Sequence, residues 1–169
     1  MKHLILIAAL PTGAFAQSHD HAAAAPTEAG QGGFAALAEV VEILAKDPLT
    51  DWSRVDIDGL RLHLQDMDAL VTEVEVSRAE VPEGLVLTIA RTSPGTEAAW
   101  RMVPAHAPVL AAETGWTSTA EVTEDVLTWT VTDPAGADQI RALGFFGLMA
   151  TGNHHAAHHL ALARGGGGH

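Results

Sequence analysis

The chain has 169 residues, ten histidines, no cysteine and a formal net charge of −12. Without cysteine it can form no disulfide and offers no thiol nucleophile, so any metal site must use nitrogen, oxygen or thioether donors. Nine Lys and Arg against 21 Asp and Glu make a surface that repels nucleic acid and anionic lipid, both of which need clustered cations.

The chain opens with Lys2, an apolar run over residues 4–10, a Pro11 break and Ala14-Phe15-Ala16. That is the pattern of a secretory signal peptide over residues 1–16, cut between Ala16 and Gln17, and it predicts a periplasmic or secreted protein. The run is too short to span a bilayer. Residues 17–33, rich in Ala, Gly and polar side chains, read as a disordered linker. Residues 34–164 form one domain of sufficient length for a core, and residues 165–169, mostly glycine, read as a flexible tail.

Within the domain, residues 34–46 place Phe34, Leu37, Val40, Val41 and Leu44 on one helical face. A second helix over 56–72 starts at Asp56, a good N-cap, with Asp58 in its first turn and a stripe of Leu60, Leu64, Met67 and Val71. The period then becomes two. "TEVEVS" over 72–77, a "PEG" turn and alternating Leu85, Leu87 and Ile89 predict a hairpin. Residues 96–112 read as a helix that Pro104 should kink or split. A second hairpin over 117–122 and 126–132 turns Leu127, Trp129 and Val131 inward. From residue 135 the chain is helical again, with an interruption at Gly152-Asn153 before a short helix. The unit of hairpin plus helix thus occurs twice, with Arg101 and Arg141 at matching places. An α+β fold follows: two N-terminal helices, then two β-hairpin–helix units forming a four-stranded antiparallel sheet covered by helices on one face. The alternative is two helical layers with loosely attached hairpins.

The chemistry gathers in "GNHHAAHH", where His154, His155, His158 and His159 fall within six residues. At about 100° per residue all four lie on one side of a helix, and 154/158 and 155/159 are i,i+4 pairs that could each grip an ion. A merely solvated face would use stronger helix formers such as Glu or Lys. The motif lacks the Glu of H-E-x-x-H and does not indicate a metalloprotease. His63 and His106 sit on inward helix faces, each with a methionine four residues away, Met67 and Met102, and Asp66 stands three residues after His63. Either methionine is equally well core filling. Imidazole with thioether suits copper, and imidazole alone also suits zinc or nickel. His63, His106 and two or more of the tail histidines are therefore expected to converge on one ion, with the remaining ones in a weaker second site or in supporting roles. Cleavage would also leave Gln17-Ser18-His19, an amino-terminal Cu(II) or Ni(II) motif.

No G-x-S-x-G, P-loop or Rossmann glycine pattern is present, and C-x-x-C-H haem attachment is impossible. "LGFFGLM" is apolar but short, a buried helix and not a membrane span. The sequence reading is an exported, histidine-rich metal-binding protein for copper, then zinc or nickel. Its role would be sequestration, delivery or resistance, with a periplasmic donor or acceptor protein as partner. The alternatives are a His-ligated metalloenzyme, a non-covalent haem protein whose pocket Phe145, Phe146, Leu148 and Met149 would line, and a structural protein whose histidines respond to pH.

Overall fold

The computed structural model describes residues 32–152 and 154–166. The expected signal peptide, nearly all of the expected linker, His19 and residues 167–169 lie outside the described residues. The core begins with two strands that alternate apolar and polar side chains, β2 (Gly84–Ala90) and β4 (Val126–Thr132). They pair antiparallel, setting Leu85 against Val131, Leu87 against Trp129 and Ile89 against Leu127. All six of these side chains are buried on one face. The other face carries Val86, Thr88, Thr128 and Thr130 and is half-exposed, as expected for an antiparallel sheet packed on one side. β1 (Ser77–Val81) and β3 (Thr117–Val122) form the edges, giving the order β1-β2-β4-β3. Charged Arg78, Glu80 and Glu121 on these edges discourage pairing with another chain.

Two helices cover the apolar face, α3 (Thr96–Thr114) and α4 (Ala137–Met149). Ala99, Met102, Val103, Leu110, Ile140 and Leu148 enter the core there. α2 (Ile57–Thr72) packs on α3. Asp56 caps it by accepting from the Gly59 N–H at 2.8 Å. α1 (Gly32–Lys46) and α5 (His155–Ala163) lean on α2, and Val40, Leu44, Leu60 and Ala163 make a second small core between them. Replacing fully buried Leu60 by Ala would cost about 2–5 kcal/mol and loosen all three helices. The fold is α+β, with both hairpin–helix units in one four-stranded antiparallel sheet. Arg101 and Arg141, matched in sequence, differ in role. Arg101 grips Asp66, whereas Arg141 donates to the carbonyls of Val81 and Pro82 in the first hairpin turn.

Several local expectations are corrected. "TEVEVS" is not a strand: α2 runs to Thr72, a linker follows, and β1 begins at Ser77. On α2, Val71 faces solvent at 70% exposure and Leu70 takes the buried place. On α1, Phe34 and Val41 are exposed. Pro104 does not split α3, which is one helix across both prolines. α4 does break, at Gly144, whose φ of 57° and ψ of −166° are open only to glycine. The tail does not begin as loose chain. Gly165, with φ of 74°, donates to the Leu162 carbonyl and Gly166 to the Ala161 carbonyl, a Schellman motif that ends α5.

Candidate metal centre at the start of helix α5

Two features aim α5 at the other helices. At its start the backbone turns at Gly152, with φ of 107°. A Cβ there would collide with the Glu113 carboxylate and approach His154 Nδ1 at 2.9 Å. At its end, the Asp56 N–H donates to the Ala163 carbonyl at 2.8 Å, tying α5 to the start of α2. α5 is thereby held with its histidine side towards α2 and α3.

The histidines sort by helical turn. The first pair meets α3: His106 ring centroids lie 5.1 Å from His154 and 6.0 Å from His155, and the latter two are 4.3 Å apart. One ring nitrogen from each of these three residues lies within 4.8 Å of the other two. The second pair meets α2, with His63 4.8 Å from His158 and 5.4 Å from His159. His63 and His106 are both buried, at 8% and 5% exposure. A small cavity of about 40 Å³ is bordered by both groups, with Met102 and Met149 in its wall. That space is enough for an ion or a water, for which about 10–15 Å³ suffices.

Hydrogen bonds orient the first group. His106 Nε2 donates to the Leu148 carbonyl at 2.9 Å, and His155 Nε2 to the Met149 carbonyl at 3.3 Å. Both carbonyls belong to the last turn of α4, and that of Leu148 also accepts from the Thr151 N–H at 3.2 Å. His154 Nδ1 donates to Glu113 Oε1 at 3.2 Å. In the neutral rings this leaves lone pairs on His106 Nδ1 and His154 Nε2, which face each other at 3.3 Å. Two lone pairs so placed repel unless a proton or a cation lies between them. Two nitrogens bound to one tetrahedral ion at about 2.0–2.1 Å would stand about 3.3 Å apart.

Burial makes three of these rings, His106, His155 and His159, hold a proton less readily than an ordinary imidazole. Burial lowers the basicity of His106. The charges of His154 and His155 push the same way, while the Leu148 hydrogen bond and Glu113 oppose them. His155 is lowered by burial and by His154, and His159 by burial and by His155. Neutral imidazole is the form that binds a metal ion.

Of the residues singled out in the sequence, His106, His154 and His155 come together, and His63, His158 and His159 form the neighbouring group. Met102 reaches the wall of the shared cavity. Met67 instead lines an adjoining apolar cavity of about 250 Å³, together with Met102, Met149 and His155. Asp66 is held by Arg101 through two hydrogen bonds of 2.8 and 2.6 Å and points to that partner. Phe145, Leu148 and Met149 are core residues, while Phe146 is exposed. Among the described residues no helix is long and apolar enough to cross a membrane. Sequence reasoning passed over Glu113, and it read Gly152 only as a helix interruption and Met149 only as a wall of a haem pocket. Glu113 had a signal, for it lies seven residues after His106 and so on nearly the same helical face.

Comparison with known protein families, curated proteins and solved structures finds no match.

Proposed function

We propose that this is an exported metal-binding protein that holds a transition-metal ion between His106, His154 and His155, with copper the first candidate and zinc or nickel next. The observation that carries the reading is the outward hydrogen bonding of all three rings. Each gives one N–H to a carbonyl or carboxylate, the support that metal-ligating histidines commonly have, and keeps its second nitrogen as a lone pair. Copper is favoured because every methionine among the described residues, Met67, Met102 and Met149, borders the cavity that His155 also lines. Thioethers beside imidazoles suit Cu(I) as well as Cu(II). The export half of the proposal rests on the N-terminal leader pattern. A role in sequestering or delivering the ion, with a donor or acceptor protein as partner, fits ligands only half-buried at His154 and His155.

The test is elemental analysis of untagged protein purified from the exported fraction, followed by Zn(II) and Cu(II) competition titrations in a His19→Ala background. We expect a bound ion in the purified protein, and a loss of affinity of more than about 100-fold in His106→Ala, beyond the effect of removing a supporting group. Wild-type affinity in that variant would overturn the assignment.

A further inference from the structure

We infer that the apolar cavity between α2 and the end of α4 is a binding site for a small neutral aromatic molecule of one or two rings. The inference goes beyond the metal reading above and does not rest on it. The cavity holds about 250 Å³. An apolar cavity of about 150 Å³ takes up benzene, whereas pockets for drug-sized ligands begin at about 300 Å³. The space therefore fits a substituted ring or two fused rings. Every lining side chain except His155 is apolar, so a charged group on the occupant would be buried without a partner. An anion would also approach against a formal net charge of −12.

The wall is in place before anything binds. Leu70, Met102, Phe145 and Met149 belong to the main core, and Phe146 is braced edge to face on Phe145, with ring centroids 5.3 Å apart at 85°. The exposed members of the wall mark its mouth: Val71 on α2 is 70% exposed and Phe146 on α4 is 48% exposed. An occupant there takes apolar surface out of water on both helices. The aromatic class follows from the sulfurs and the ring. Met67, Met102 and Met149 reach this one space from three helices, α2, α3 and α4. Methionine ordinarily fills gaps, yet here three of them surround a gap that stays open. Thioethers make favourable contacts with aromatic rings and adapt to the shape they hold. Phe146 supplies a ring against which a second ring packs offset or edge to face.

The test is a titration of the full exported chain with indole, followed by nuclear magnetic resonance of isotopically labelled methionine methyl groups, with and without a metal chelator. Ring currents of a bound indole should shift the Met67, Met102 and Met149 resonances together, saturating at one equivalent. Val71→Trp sets a ring in the mouth from an exposed helical position and should weaken indole by about tenfold or more, as should adding a carboxylate to the probe in indole-2-carboxylate. Circular dichroism checks that the variant is folded, and Met67→Leu, which keeps the volume and removes the sulfur, should weaken indole on its own. Methyl resonances that do not move up to the solubility limit of indole would overturn the site, whatever the metal titrations show. Shifts that persist unchanged in folded Val71→Trp would place the binding elsewhere and overturn it too. Equal or tighter binding of 1-octanol or of the carboxylate would overturn the neutral aromatic class. A dimer that forms with rising concentration and is dissociated by Val71→Trp would mean that a second copy of the chain covers the mouth, and would overturn the small-molecule ligand.

Discussion

Glu113 does not touch the converging nitrogens, yet it decides what His154 offers them. By accepting from Nδ1 at 3.2 Å it leaves the Nε2 lone pair facing His106. Glu113→Gln removes the negative charge and permits the amide to present its NH₂ instead, which would reverse the ring's tautomer. The expected outcome is a 10–100-fold loss of metal affinity with unchanged thermal stability of the metal-free protein. A chelator-competition titration checks it, and wild-type affinity in the variant would remove Glu113 from the site. The four tail histidines were legible as a metal motif from spacing alone, and so were the inward faces of His63 and His106. Their partition was not. The i,i+4 rule treats a helix by itself, whereas here adjacent residues share a partner because α3 meets the first turn of α5 and α2 meets the second. Asp66 was misjudged for a related reason: its partner, Arg101, is 35 residues away on another helix.

At the scale of elements, α4 owes its use to a break. Gly144, at φ 57° and ψ −166°, interrupts the helix and redirects Phe145, Leu148 and Met149 into the core. The same turn presents the Leu148 and Met149 carbonyls to His106 and His155. No atom would obstruct a Cβ at Gly144, so Gly144→Ala isolates the backbone strain, about 1–3 kcal/mol. We expect the melting temperature to fall by about 3–10 °C, together with weaker metal binding. A variant that melts with the wild type would show that the break is dispensable. The second hairpin was readable to the residue because Leu127, Trp129 and Val131 alternate cleanly with threonines. The first was not, because β1 is a charged, exposed edge strand with little apolar signal. The alternating valines just before it, Val74 and Val76, belong to the linker that packs against the core.

Across the whole molecule, helix α5 is docked through histidines as much as through apolar contacts, and this sets how stability responds to acid. His106, His155 and His159 each hold a proton less readily in the folded chain than the ordinary imidazole, whose pKa is about 6.5. Burial is the first cause in all three cases. Glu113, facing His106 and His155, and Glu39, facing His159, only moderate it. The unfolded chain therefore binds more protons than the folded one once the pH drops below about 6.5, and stability must fall with further acidification. Above that value the rings are neutral in both states and this contribution to stability is complete. The metal-free protein should melt lower at pH 5.5 than at pH 7.5, and a His106→Gln/His155→Gln/His159→Gln variant should flatten the difference. Zn(II) at about a hundredfold over its dissociation constant should add about 2.7 kcal/mol at pH 7.5. The addition should shrink towards pH 5, where protons compete for the same nitrogens. Thermal unfolding with and without Zn(II) across this range measures both effects. A melting temperature of the metal-free protein that stayed level or rose on acidification would mean that the imidazoles accept protons in place, and that α5 is held to α2 and α3 by something other than a neutral histidine interface.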